Sequence, residues 1–197
     1  MTLFDHMCIS TRWAEPSPVS QNGDDLLMID GFKEISPLDI GDNTFGLIAD
    51  DWMLLTAGPG DTFNTMTASW GALGELWNRK VAFAFVRPQR HTFGFIHRAK
   101  RFTMSFFPEE YRSALEFCGS RSGRDVDKAA ATGLTPVFPT PDTTAFGEAR
   151  LIFVCRKIYT HDLDPDHFID TSISECYPDA DYHRMFIGEI ESVLEKR

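Results

Sequence analysis

The chain has 197 residues, enough for one ordinary domain, and its 43% hydrophobic residues, including 17 Phe, can form a sizeable core. Its 29 acidic residues outnumber 19 Lys and Arg, so the formal net charge is −10. This balance disfavours nucleic acids and acidic membranes as partners, because binding to phosphate-rich surfaces needs positive charge.

The predicted elements are short strands separated by a few small helices. Residues 12–25 are rich in Pro, Ser, Asn and Asp and predict an irregular segment. Apolar runs bounded by turn residues predict strands over residues 52–57, 80–86, 101–107, 149–160 and 183–194, and residues 64–70 are expected to form the strand that returns from the first. Helical spacing predicts helices over residues 92–96, 109–117 and 125–132.

Turn and cap residues set the expected ends of these elements. Thr92 is expected near the N-terminus of the first helix, and Gly119 and Gly133 are expected to end the other two. A tight loop through Gly71 and Gly74 is expected between the second and third strands. Helices this short argue against parallel βαβ units and favour a closed antiparallel barrel with small helical decorations.

Cysteine spacing and hydropathy indicate the cellular setting. The four cysteines are far apart in the sequence and include no Cys-x-x-Cys pair. No apolar run approaches the roughly 18 residues of a membrane span, and no signal peptide is recognisable. We therefore expect a cytoplasmic protein without membrane contact.

No histidine pair has metal-ligand spacing, and we expect no bound metal. His161 and His167 stand among Asp162, Asp164 and Asp166, which could mimic an oxygen-rich metal loop. This stretch lacks the glycine and the terminal glutamate of a calcium-binding EF-hand, so we interpret it as an acidic surface loop.

Positive charge is concentrated in one segment of this acidic chain. Between Glu75 and Glu109 there is no acidic residue but seven basic ones, which leaves the remainder of the chain at −17. Within this segment, Arg87, Arg90 and Thr92 lie where a strand ends and a helix begins. Guanidinium groups beside a helix N-terminus are typical of an anion site, although a solvated basic face is the alternative.

The predicted strand at residues 64–70 is unusual because its side chains are mostly small and polar. Small side chains let a flat ligand approach the backbone, whose N–H and C=O groups can bind a heteroaromatic edge. The alternative is an edge strand whose hydroxyl groups face water. Trp70 could pack against the rim of such a ring.

Four segments together resemble the flavin reductase-like, FMN-binding split-barrel family, which includes the flavoredoxins. They are residues 64–71, residues 85–92, residues 117–128 with their Ser-Gly-Arg-Asp-Val-Asp-Lys run, and residues 181–190 with their Gly-Glu pair. The resemblance covers residues 52–194 in the right order. It implies a flavin reductase-like domain at residues 46–197, preceded by an irregular extension at residues 1–45.

The family resemblance implies a mainly β fold, a Greek-key split β-barrel that forms a homodimer with FMN near the subunit interface. The residues expected to line the isoalloxazine ring are Asn64, Thr65, Met66, Thr67, Ala68, Ser69 and Trp70. The segment expected to hold the phosphate contributes Arg87, Pro88, Arg90, His91 and Thr92. The residues expected close to the cofactor from a third segment are Ser120, Ser122 and Lys128.

The implied activity is an FMN-dependent oxidoreductase, an NAD(P)H:flavin reductase that passes hydride from the nicotinamide to the flavin. The alternatives are a flavoredoxin-like electron carrier serving a protein partner, and a non-redox barrel that binds another anionic ligand. His183 is the candidate catalytic residue, since the family places this histidine by the flavin or the nicotinamide. The alternative is a hydrogen-bonded histidine that closes the barrel.

Overall fold

An antiparallel sheet of eight strands dominates the computed structural model, which describes residues 26–197. The predicted irregular segment at residues 12–25 lies outside the described residues. The strands of this sheet are β1 (Phe32–Ile35), β2 (Met53–Ala57), β3 (Asn64–Ala68), β4 (Gly71–Leu76), β5 (Arg79–Val86), β6 (Arg101–Phe106), β9 (Leu151–Asp162) and β10 (Arg184–Lys196). A second, two-stranded sheet pairs β7 (Pro136–Val137) with β8 (Ala145–Phe146).

The helices are short and lie between the strands. They are α1 (Thr44–Ala49), α2 (His91–Arg98), α3 (Arg112–Ser120) and α4 (Lys128–Thr132). Short 3₁₀ helices cover Pro37–Asp39, Gly60–Thr62, Glu109–Tyr111, Pro165–His167 and Thr171–Cys176. The prediction of a mainly β, antiparallel fold with small helical decorations is therefore confirmed.

The last strand, β10, has different neighbours along its two halves. It pairs with β9 on one side along most of its length, while β5 and then β1 occupy its other side. Two register shifts between β9 and β10, one beside Gly188, interrupt this ladder. Glycine is needed there, because a Cβ atom would lie 2.7 Å from the side chains of Cys155 and Phe102.

Strand β2 is buried on both faces and divides the core into two clusters. Leu55 packs inside the barrel with Phe102 and Phe153. Leu54, which points to the opposite face, packs beneath α3 with Leu115. The three consecutive apolar residues at the start of β2 are the sequence signature of this double burial.

The predicted loop through Gly71 and Gly74 is wrong, because both glycines lie within strand β4. β4 and β5 form a hairpin whose two turn residues, Trp77 and Asn78, have φ angles of 54° and 57°. Gly71 allows the close approach of β5, since a Cβ there would lie 2.8 Å from the carbonyl oxygen of Phe83. Gly71 therefore favours pairing of the two strands here.

The helix boundaries follow the predicted caps only in part. Arg90 is the N-cap of α2, so Thr92 is its second helical residue. α3 continues through Gly119, which was expected to end it. α4 begins after Asp127, whose side chain accepts a hydrogen bond from a backbone N–H, and Gly133 ends it with φ of 71°, as predicted.

The segment expected to be irregular at residues 1–45 contains ordered elements in its described part. β1 adds to the edge of β10, and the side chain of Phe32 is buried in the core. The helix α1 begins at Thr44 and is capped by the side chain of Asn43. The domain boundary at residues 45 and 46 stays a prediction.

The end of β9 differs from the predicted acidic loop. His161 lies within β9, so the acidic surface loop predicted around it begins only after this strand.

Within residues 26–197, no group of three or more His, Cys, Asp or Glu side chains is arranged to hold a metal ion. In the same residues, every helix is too short or too polar to cross a membrane.

Candidate flavin site

Most of the predicted cofactor residues line two neighbouring pockets along β3. The first, here called the cationic pocket, has a volume of about 220 Å³ and is lined by Asn64, Gln89, Arg90, His91, Thr92, Ser120, Arg121, Ser122, Gly123, Arg124 and Lys128. The second, here called the aromatic pocket, has a volume of about 280 Å³ and is lined by Met66, Thr67, Ala68, Ser69, Trp70, Phe85, Arg87 and His183. The structure thus brings together segments that are far apart in the sequence.

The start of α2 supplies donors to the cationic pocket. In the part of the chain that the structure describes, no side chain caps this helix, so its first N–H groups keep their capacity to bind an anion. Arg90 stands at this end and donates a hydrogen bond to the carbonyl oxygen of Gly119 at 2.8 Å. Burial, followed by the charge of Arg87, lowers the pKa of Arg90.

Asn64 connects β3 to the start of α2. Its side-chain amide donates a hydrogen bond to the hydroxyl of Thr92 at 2.7 Å. Because the Thr92 oxygen accepts this bond, its own proton is free to be donated. Gly123 packs so closely against Asn64 that a Cβ at Gly123 would lie 1.8 Å from Asn64 Oδ1.

Lys128 is a buried cation in this pocket, with only 6% of the residue exposed. Its Nζ donates to the carbonyl oxygens of Thr65 at 2.8 Å and Cys118 at 2.7 Å. Both partners are neutral, and burial lowers the pKa of Lys128 to about 8. A third N–H of the ammonium group can still be donated to a ligand.

The charges that line the cationic pocket are all positive. Burial lowers the pKa of His91, and the charges of Arg124, Lys128 and Arg98 lower it further. No acidic side chain is among the lining residues within the described chain. The donor set of guanidinium, ammonium, hydroxyl and helix N–H groups therefore fits a phosphate.

Arg87 lies apart from this group of cations. It lines the aromatic pocket, where its Nη1 binds both carboxylate oxygens of Asp181 at 2.6 and 2.7 Å. Its Nη2 donates to the carbonyl oxygen of Cys176 at 2.8 Å, and its guanidinium lies 5.1 Å from the centroid of the Tyr177 ring. The expectation that Arg87 holds a phosphate together with Arg90 therefore does not match the geometry.

Two other predicted residues line neither pocket. The hydroxyl of Thr65 forms a hydrogen bond with that of Thr56 at 2.8 Å, and Pro88 is exposed. The hydroxyl of Thr67 donates to the carbonyl oxygen of Leu115 in α3. The polar side chains of β3 thus serve partly to join strands and helices.

His183 lies directly before β10 and forms one wall of the aromatic pocket. It is 8% exposed, and its ring centroid lies 5.1 Å from that of Trp70. Its Nδ1 forms a hydrogen bond with the hydroxyl of Tyr177 at 2.9 Å. Burial and then the charge of Arg87 lower the pKa of His183 to about 4, so the ring is neutral at physiological pH.

Three residues of the site, Tyr177, Asp181 and Gly123, were not among the residues predicted from the sequence. Tyr177 belongs to the connection after β9, and only the folded chain brings it to His183 and Arg87. Asp181 does lie in a segment that resembles the family, yet its pairing with Arg87 across the site is a tertiary contact. Gly123 could have been suspected from its place in the Ser-Gly-Arg run.

The fold and the two pockets define a class of protein, an antiparallel barrel with a cation-lined pocket beside an aromatic one. The family model described as flavin reductase like domain matches residues 45–197. The chain therefore belongs to the flavin reductase-like family, and the predicted family is confirmed.

Solved structures of other proteins have a similar fold. An FMN-binding protein from Thermus thermophilus with bound 1-cyclohex-2-enone is 22% identical, with a TM-score of 0.56 over 72% of this chain and 68% of that one. A flavoredoxin from Methanosarcina acetivorans is 20% identical, with a TM-score of 0.55 over 73% and 67%. A Shewanella frigidimarina protein described with a split barrel domain is 19% identical, with a TM-score of 0.54 over 76% and 71%.

At these identities the likeness concerns the fold, and the predicted split barrel is confirmed. No protein of curated function matches the sequence.

Proposed function

We propose that this protein is an FMN-dependent oxidoreductase that reduces its flavin with NAD(P)H. The observation that carries the proposal is the cationic pocket, a small cavity surrounded by positive groups in an acidic chain of the flavin reductase-like family. Its position next to the aromatic pocket suits a ligand with a phosphate at one end and a planar ring at the other.

The phosphate of FMN would lie in the cationic pocket. Arg90, Lys128 and the Thr92 hydroxyl are the donors we assign to it, with Ser120 and Ser122 at the rim. A dianion there would offset the mutual repulsion of these cations. Arg87 is not assigned to the phosphate, because Asp181 already neutralises its charge.

The isoalloxazine ring would lie in the aromatic pocket, between Trp70 and the end of β3. When bound, FMN supplies a two-electron carrier that accepts hydride from a nicotinamide and passes it to an acceptor. His183 would act as a neutral hydrogen-bond donor. Burial raises the pKa of Tyr177, so the phenol stays protonated. We assign its O–H as the donor to Nδ1, which would leave the imidazole proton on Nε2.

Optical titration of the purified full-length protein with FMN, followed by rapid mixing with NADH or NADPH, tests the proposal. We expect saturable FMN binding, fast loss of the visible flavin absorbance, and turnover of added free FMN. Reduction by dithionite or a reduced redox protein, but by neither nicotinamide, would instead identify an electron carrier. A protein without affinity for FMN would exclude both roles and leave the non-redox alternative.

We also propose that two chains pair, as the family resemblance implies, with FMN near their interface. Sedimentation velocity on the FMN-loaded protein measures the assembly directly. A monomer at concentrations that saturate FMN would contradict this part of the proposal.

A further inference from the structure

A third and larger cavity lies next to the aromatic pocket. This apolar cavity has a volume of about 810 Å³, within the range of small-molecule sites. It is lined by Thr44, Phe45, Ile48, Ala49, Ser69, Trp70, Gly71, Ala72, Leu73, Phe85, Leu163 and Tyr177. Helix α1, strand β4 and the connection after β9 thus form its walls.

The cavity shares a wall with the candidate ring site. Ser69, Trp70 and Phe85 line both the apolar cavity and the aromatic pocket. Tyr177 also lines the cavity and forms the hydrogen bond with His183. A molecule in the cavity would therefore lie against the same side chains that border the proposed flavin ring.

The chemistry of the lining selects the class of ligand. Within the described chain, no charged side chain lines the cavity, and its polar side chains are Thr44, Ser69 and Tyr177. Two large aromatic side chains face it while still open to solvent, Phe45 at 85% exposure and Trp70 at 47%. Exposed aromatic faces of this kind are stabilised most when they pack against another planar ring.

We propose that the apolar cavity binds an uncharged, planar aromatic molecule, held between Phe45 and Trp70. Binding itself needs only the cavity, whereas the role of this molecule as a second substrate beside FMN rests on the proposed function. The diphosphate of a nicotinamide dinucleotide finds no cation among the lining residues. A carboxylate or phosphate on the ligand would be desolvated there without a partner.

A matched pair of probes tests the charge selectivity. 2-Naphthamide and 2-naphthoate have nearly the same shape, but only the second is an anion at neutral pH. Isothermal titration calorimetry on the full-length protein should show naphthamide binding about tenfold or more tighter than naphthoate, because the anion loses its hydration. Equal affinities, or no binding of naphthamide, would overturn the proposal.

Two variants locate the binding in the apolar cavity. Ala72→Trp fills the space from β4 and should weaken naphthamide binding by about tenfold or more. Phe45→Ala removes a side chain that makes little contribution to the core, and it should weaken binding by roughly three- to tenfold. The matched control is Ala131→Trp on the exposed side of α4, which should change neither affinity nor assembly.

The controls separate failure of this inference from failure of the proposed function. FMN binding by the unmodified protein is measured on its own, so naphthamide binding without FMN binding would exclude the flavin role and retain the cavity. Unchanged naphthamide affinity in both cavity variants would place the ligand elsewhere and overturn the inference. The unmodified protein could also fail to bind naphthamide while the Ala72→Trp variant dissociates from dimer to monomer. These two results together would show that a second copy covers the cavity, and they would overturn the inference.

Discussion

Two arginines three positions apart have different partners, and this difference is testable. Arg90 faces the cationic pocket, whereas Arg87 is held by Asp181. Arg90→Ala should weaken FMN binding by about ten- to a hundredfold, since charge-assisted hydrogen bonds contribute roughly 1.5–3 kcal/mol, and should change riboflavin binding little. Arg87→Ala should affect FMN and riboflavin alike, because it alters the aromatic pocket. Titrations of both variants with both ligands check this, and a phosphate-specific loss in Arg87→Ala would contradict it.

Lys128 predicts a pH dependence of FMN binding. With a pKa of about 8, the ammonium group is charged below that pH and loses its charge as the pH rises through it. A bound phosphate favours the charged form, so FMN affinity should be nearly constant between about pH 7 and 8, where the phosphate is a dianion, and fall progressively above pH 8. Fluorescence titrations between pH 6 and 10 measure this profile. Riboflavin binding and the Lys128→Met variant should both lack the decline, and a variant that keeps it would exclude Lys128 as its source.

Gly123 predicts a steric effect on the same pocket. A methyl group at this position would collide with Asn64, and Asn64 holds the hydroxyl of Thr92. Gly123→Ala should therefore displace Asn64 and weaken FMN binding by about tenfold, equivalent to roughly 1.4 kcal/mol. Gly74→Ala is the matched control, because no atom lies within 4 Å of a Cβ there. Equal FMN affinity in the two variants would show that Asn64 can move without cost.

At the level of single residues, the sequence predicted which residues meet in the cationic pocket better than where each side chain points. Arg90 and Thr92 come from one segment and Lys128 from another, and all three line one pocket. Arg87 could not be distinguished from Arg90 in the sequence, because its partner Asp181 is 94 positions away. Family resemblance transfers residue types, whereas the direction of a long side chain depends on contacts made only in the fold.

Among the elements, β10 and the residue before it predict an acid sensitivity. The pKa of His183 is about 4 in the folded protein, against 6.5 for an unperturbed histidine, so the unfolded chain binds its proton first as the pH falls. Stability from this group should therefore be present above pH 6.5 and decline between pH 6.5 and 4. The difference between these two pKa values corresponds to at most about 3.5 kcal/mol of unfolding free energy.

His183→Asn isolates this contribution, because Asn offers an acceptor near the position of Nδ1 but does not titrate. Urea unfolding at several pH values should show a smaller loss of unfolding free energy for the variant over this range. Subtracting the unfolding free energy of one protein from that of the other at each pH removes the contribution of the carboxylates that both proteins share. Parallel curves for both proteins would indicate that His183 is solvated in the folded state.

Whether an element could be predicted from the sequence depended on how that element is buried and paired. The doubly buried strand β2 has an apolar run that the sequence showed clearly, and Gly133 ended α4 as expected. Strand β4 was taken for a loop, because it contains two glycines, of which Gly71 serves close strand packing, and because its turn lacks the usual Asn-Gly pair. Strand β1 has only four residues, and its pairing with β10 depends on residues more than 150 positions away.

The whole molecule extends beyond the segment that matches the family. The match begins at residue 45, yet β1 lies before it and pairs with the end of β10. Phe32 of β1 is only 3% exposed and packs with Leu54, Ile152 and Leu194. The described residues before the match therefore contribute to the second core cluster.

Phe32→Ala should consequently destabilise the protein although it lies outside the matched segment. Removing a buried Phe costs about 3–5 kcal/mol, because the transfer energy is lost and a cavity remains. Lys33→Ala is the neighbouring control, since it removes only an exposed ion pair with Glu195 worth less than about 1 kcal/mol. Chemical denaturation followed by tryptophan fluorescence measures both changes. If Phe32→Ala were as mild as Lys33→Ala, β1 would be an accessory strand, and the family segment alone would supply the stability of the barrel.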